Sequence, residues 1–113
     1  MIKVYVAGPY SKGNRLRNAL RNIEVAQELL CLGYAPFVPL LSHWWDEYIP
    51  NCYKTWLAYD RVWCLTCDAI LRTPGESDGA DSEVKLMETH GRVVVHSVEE
   101  LLRRLPPERK QDE

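Results

Sequence analysis

The stretch Pro74-Gly-Glu-Ser-Asp-Gly-Ala-Asp-Ser-Glu83 is the densest run of carboxylates and hydroxyls in this chain. It follows a strand-like segment and opens a helix, which places Glu83 in the first turn. There it faces the positive end of the helix dipole, which favours the ionised form. An ionised, positioned carboxylate is what attack on an anomeric carbon requires. The same residues also serve as caps, with Ser77 or Asp78 at the N-cap and Asp81 and Glu83 as first-turn acids. A second carboxylate, Asp60, stands among aromatics in Tyr59-Asp-Arg-Val-Trp-Cys-Leu65. It is either a surface charge beside Arg61 or a partner aimed into a pocket. Two carboxylates meeting at one sugar can divide the roles of nucleophile and proton carrier.

A third set, Gly8-Pro-Tyr-Ser-Lys-Gly13, follows the first apolar segment. Asn14-Arg15 stands where a Walker loop needs Lys followed by Ser or Thr, so ATPase chemistry is excluded. The loop can still hold a phosphate through backbone N–H groups and a helix N-terminus, with Ser11, Lys12, Arg15 or Arg17 adding donors or charge. It reads equally as a Gly8-Pro9 turn before a basic helix face. His43-Trp44-Trp45 with Tyr48 can stack on a nucleobase, or plug the end of a small core. Cys64-Leu-Thr-Cys67 is a C-x-x-C without the second pair that structural zinc needs, and it does not follow the first strand as a thioredoxin pair would. No metal site is expected.

Positioning these groups requires a scaffold, and its elements are visible in the residue periodicity. Ile2 to Ala7 reads as a buried strand. Asn14 to Leu32 carries Ala19, Leu20, Ile23, Ala26, Leu29 and Leu30 at helical steps, with Gly33 placed to end the helix. A second strand is expected over Tyr34–Val38. Leu40 to Tyr53 contains Pro50, shows no clean period and is read as a long loop with at most one turn of helix. Helix is expected again over Tyr53–Cys67, strand over Asp68–Thr73, helix over Ala80–His90, strand over Arg92–His96 and a short helix over Val98–Leu105. Pro106 to Glu113 is read as a polar, frayed tail. Strands alternating with helices predict one α/β domain over residues 1–105, a three-layer Rossmann-like or flavodoxin-like parallel sheet with helices on both faces. Ligands in such sheets bind beyond the carboxyl ends of the strands. The loops after the first three strands, which hold the residues above, therefore line any site.

Composition narrows the function classes. Apolar residues make up 46% and charged residues 27% of the 113, the mix of one ordinary globular domain. With 14 Lys and Arg against 16 Asp and Glu the net charge is −2, which argues against duplex nucleic acid or an anionic membrane as partner. The absence of a leader-like segment and the four cysteines predict a cytoplasmic chain with reduced thiols.

Three segments together resemble the nucleoside 2-deoxyribosyltransferase-like proteins, a family that includes deoxynucleoside 5′-monophosphate N-glycosidases. They are Val4-Tyr-Val-Ala-Gly-Pro-Tyr10, Asp60-Arg-Val-Trp-Cys-Leu-Thr-Cys-Asp68 and Ser77-Asp-Gly-Ala-Asp-Ser-Glu83, with Gly91 beyond, and the likeness covers most of residues 3–97. The resemblance implies that Glu83 is the nucleophile, Asp60 orients the sugar or manages the proton of the departing base, and Tyr10 positions Glu83. Ser77 stands where the monophosphate hydrolases carry a serine and the nucleoside transferases an aspartate. It would hold a 5′-phosphate together with Gly8, Pro9, Ser11, Arg15 and Gly79, while His43 and Trp44 meet the base. A small-molecule nucleotide or nucleoside ligand, no organic cofactor and a homodimer or higher assembly with shared sites are implied too. Asp81, where the hydrolases usually have a small residue, departs from the pattern.

Overall fold

A computed structural model describes residues 1–108. The chain runs β1 (Lys3–Ala7), α1 (Arg15–Cys31), β2 (Ala35–Phe37), α2 (Leu40–Tyr48), α3 (Tyr53–Leu65), β3 (Ala69–Arg72), α4 (Asp78–Thr89), β4 (Val93–Val95), α5 (Val98–Arg104). The four strands form one parallel sheet in the order β2-β1-β3-β4. Val4 lies between Pro36 and Ala69, and Leu71 pairs with Val95. This is the three-layer α/β architecture that the alternation predicts.

Successive side chains of a strand point to opposite faces, and β1 divides accordingly. Val4 and Val6 join Leu29 of α1, Tyr34 and Leu101 of α5 in one core. Tyr5 and Ala7 join Cys64 of α3 and Ala80, Leu86 and Met87 of α4 in the other. Cys64 and Cys67 are thus buried small residues of the second core, both free thiols. Among the described residues no three of His, Cys, Asp and Glu come together as metal ligands. Nor is any described helix long and apolar enough to cross a membrane.

The helix starts have visible causes. Asn14 caps α1 by accepting from the Arg17 N–H at 3.0 Å, and Gly33, at φ +100°, turns the chain out at its end. Ser77 caps α4 by accepting from the Ala80 N–H at 3.2 Å. That helix begins at Asp78, two residues earlier than the periodicity suggests.

The segment read as a loop is α2. Its nine residues lack Gly and Pro, and it stops at Ile49, just before Pro50. Helical period is hidden because Trp44 and Tyr48 face outward and Trp45 packs edge-on against Trp56 and Tyr59 of α3, while Ser42 is buried. Asp46 then staples the turn into α3, accepting from the Asn51 N–H at 2.8 Å and from the Trp56 indole at 2.6 Å. Of the expected tail, Pro106 to Glu108 are described, with Glu108 3.6 Å from the N-terminal amine. Residues 109–113 lie outside the described residues.

The end of β1 is the tightest point of the scaffold. A Cβ on Gly8 would lie 1.8 Å from the buried Thr73 hydroxyl and 2.9 Å from Asn22 Oδ1. Gly8→Ala is expected to lower stability by about 1–3 kcal/mol through overpacking, read by urea denaturation. An unchanged midpoint would show that the two loops separate at no cost.

Candidate active site

A cavity of about 210 Å³ opens at the carboxyl ends of β1 and β3, where the topology predicts a site. Its wall combines the β1–α1 loop, the start of α2, α3 and the N-terminal turns of α4. Gly8, Tyr10, Ser11, His43, Asp60, Ser77, Gly79 and Glu83 all line it. Eight of the eleven residues expected at the site therefore meet in one place.

Glu83 is 7% exposed. Its carboxylate accepts a 2.5 Å hydrogen bond from the Tyr5 hydroxyl, itself fully buried on β1. Because α4 starts at Asp78, Glu83 sits in the second turn rather than the first, beyond the reach of the dipole effect. The expectation of a dipole-ionised carboxylate is corrected accordingly. Burial pushes Glu83 up to about 7, with the Asp60 charge adding to it and the Tyr5 hydrogen bond opposing it. Burial likewise pushes Asp60, on α3, up to about 6, with the Ser42 hydroxyl opposing. Two carboxyl groups that change charge near neutrality share one small cavity, a condition suited to general acid–base and nucleophilic work.

Tyr10 does not position Glu83; the hydroxyl on that carboxylate belongs to Tyr5. Tyr10 stacks on His43 instead, with ring centroids 3.8 Å apart and planes 13° from parallel. Burial holds the His43 imidazole below its ordinary range, so the pair is a neutral aromatic wall. The loop bearing Tyr10 is fixed from beneath by Asn18, whose amide donates to the carbonyls of Tyr10 (3.0 Å) and Lys12 (2.7 Å). Three other expected residues lie off the cavity. Pro9 is buried against Gly75, where a Cβ would lie 2.6 Å from the Pro9 ring. Arg15 pairs with Glu47 at 3.2 Å. Trp44 is 58% exposed and turned to solvent on the outer side of α2.

Ser77 caps α4 and also lines the cavity. Its oxygen accepts the capping N–H of Ala80, while the hydroxyl proton remains for a ligand. Lys12 bridges to Glu76 at 2.9 Å across the same rim. Asp81 is drawn away by Arg72 at 3.0 Å. Asn22, Tyr53 and Leu57 also line the cavity, and Tyr5 meets Glu83 from beneath; these four escape the sequence reading. Asn22 accepts from the Thr73 hydroxyl at 2.9 Å on the cavity floor. Its signal was an asparagine at the i+4 position from Asn18 on an otherwise apolar helix face.

Comparison with models of known protein families and with curated proteins finds no match.

The Glu83 environment has a consequence for stability. The folded chain holds this proton to about pH 7, whereas an unfolded glutamate releases it near 4.5. Between those values the native state binds more protons, so stability falls as pH rises through the window. Glu83→Gln keeps a neutral acceptor for Tyr5 and removes this loss. The variant is expected to exceed wild type by on the order of 2 kcal/mol at pH 8 and to match it near pH 4.5, measured by denaturation at both pH values. Parallel curves for the two proteins would contradict the burial assigned to this side chain.

Proposed function

We propose that the chain cleaves or exchanges the N-glycosidic bond of a (deoxy)nucleoside or its 5′-monophosphate, with Glu83 as nucleophile. The observation that carries this reading is the buried Glu83–Tyr5 pair facing the same cavity as Asp60. The three segments that resemble the nucleoside 2-deoxyribosyltransferase-like proteins also contribute to this one cavity region, which supports the same reading. At about 210 Å³ the cavity is below the ~300 Å³ at which pockets for whole drug-sized ligands begin. It suits a pentose, with the base leaning out over the Tyr10–His43 stack.

In the first step a Glu83 oxygen attacks C1′ as the C1′–N bond breaks. The bonding electron pair leaves on the base nitrogen, which takes a proton from Asp60, and a glycosyl ester remains. Water then attacks C1′, giving its proton to Asp60 and releasing Glu83 as the carboxylate. A second base in place of water gives transfer rather than hydrolysis. Tyr5 steadies the anion of Glu83 before attack and after release. These steps need no metal or organic cofactor.

Ser77 favours the monophosphate, because its hydroxyl can donate to a phosphate oxygen. Base exchange on free nucleosides is the second reading. It is favoured by Glu76, which occupies Lys12 and sets negative charge beside Ser77.

Incubation with a panel of nucleosides and 5′-monophosphates, followed by chromatography for free base, tests the proposal. Glu83→Ala should lower release by about a thousandfold or more, as loss of a covalent nucleophile does. Tight binding without release by wild type would make the chain a nucleotide-binding module instead. Because the carboxyl pair titrates at about 6 and about 7, its singly protonated state peaks between them. A bell-shaped kcat/KM profile with its maximum in that interval is expected. Tyr5→Phe should move the alkaline limb to higher pH and lower the maximum, since it removes a donor that favours the ionised form of Glu83, the group at about 7. A profile flat from pH 5 to 8 would exclude the pair from the rate.

A further inference from the structure

Strand β3 ends in a charge, Arg72. Ile70, two positions earlier, packs in the core with Tyr5 and Met87, so strand alternation turns Arg72 toward the same α3–α4 layer. The guanidinium binds back onto the segment that follows it. Nη1 donates to the Thr73 carbonyl and Nη2 to the Gly75 carbonyl at 2.8 Å. Nε and Nη2 also donate to Asp81 Oδ1, at 3.2 and 3.0 Å. One planar fork thus holds acceptors on both sides of Ser77, the residue that starts α4. Arg72 itself does not line the cavity.

The ion pair within this clamp is lopsided. The Arg72 side chain is 10% exposed and that of Asp81 64%. Water screens the field of the carboxylate more than that of the guanidinium, so part of the positive charge stays unbalanced inside the protein. Glu83 lies two residues beyond Asp81 on α4 and is buried. The groups that act on its carboxyl are the Tyr5 hydroxyl of β1, Asp60 and the Cys64 thiol of α3, and Arg72 of β3. Arg72 supplies the positive charge among them and draws Glu83 toward its ionised form. On its outer side Arg72 shares a shallow cleft with Asp81 and His96.

We propose that Arg72 is a positioning residue for the site: it clamps the β3–α4 segment around Ser77, and its charge, shared with Asp81, is the counter-charge of the buried Glu83. The exposed carboxylate holds the guanidinium in place, and the buried one feels the charge that is left over. The consequence for rate rests on the reading of Glu83 as nucleophile, whereas the clamp and the charge are measurable without turnover.

Titration of the Glu83 carboxyl carbon by ¹³C NMR in the full chain tests this. Arg72→Gln and Asp81→Asn break the same ion pair, yet they should move the titration in opposite directions. The first removes the cation and shifts it to higher pH. The second frees the cation from its partner, while leaving an oxygen for the guanidinium, and shifts it to lower pH. Loss of a merely structural bridge would move both alike. Arg72→Lys keeps the charge without the fork. It should leave the titration in place, while amide hydrogen exchange at Ala80 and Asp81, whose N–H groups bond to Ser77, quickens about tenfold. The alkaline limb of kcat/KM should follow the same two shifts. If the titrations shift as stated but no nucleoside or nucleotide is turned over, the glycosidic reading fails and the role of Arg72 stands. Shifts of one sign, or an Arg72→Lys that moves as far as Arg72→Gln, overturn the proposal. Should Arg72→Gln unfold, Asp81→Asn at its exposed position decides alone, and a titration it does not lower is equally fatal.

Discussion

The carboxyl ends of the strands depend on keeping one carboxylate dry. A buried carboxyl group without a partner is expensive, and the chain supplies that partner across 78 residues of sequence, from β1 to α4. Tyr5 can reach Glu83 because strand alternation turns it toward the α3–α4 layer while Val4 and Val6 turn the other way. Glu83 can receive it because Ser77 fixes where α4 begins, and hence which helical positions face the sheet. Ala80, Glu83 and Met87 fall at three- and four-residue steps from that start and are all buried. One hydrogen bond thus ties the phase of a strand to the phase of a helix, and the cavity is the space left above them.

The scaffold was legible for simple reasons. Period-two and period-3.6 patterns, with Asn14, Gly33 and Ser77 at helix ends, are local, and the sheet obeys them. Glu83, Asp60 and Ser77 were legible because carboxylates and hydroxyls just past a strand have few structural explanations. What stayed hidden was hidden by tertiary geometry. In the reading of β1 as a buried strand, Tyr5 is one more large side chain, and nothing nearby in sequence shows that its hydroxyl meets a carboxylate. Tyr10, in a loop beside glycines, draws attention for the opposite reason, although its ring is spent on His43. Helix α2 lacks a period because it lies over the mouth of the site, Ser42 inward and Trp44 and Tyr48 outward, the reverse of an ordinary core helix. Arg15 looked like a phosphate ligand because its partner, Glu47, lies on that unread helix.

Magnitudes decide which influence governs the charge on Glu83. A helix N-terminus contributes about 0.3–1 kcal/mol to a nearby anion, and the effect fades within the first turn. The rise of Glu83 from 4.5 to about 7 corresponds to roughly 3 kcal/mol in the opposite direction. Burial wins, so the charge on Glu83 is set by how dry the cavity is and by what donates to it. A ligand entering the space expels water and drives both carboxyl groups further toward their neutral forms. Only a ligand that brings hydroxyl donors of its own reverses that trend at the moment of binding. An apolar molecule would therefore silence the pair, whereas a sugar, presenting hydroxyls on every edge, can hold Glu83 ionised while excluding the water that competes with it.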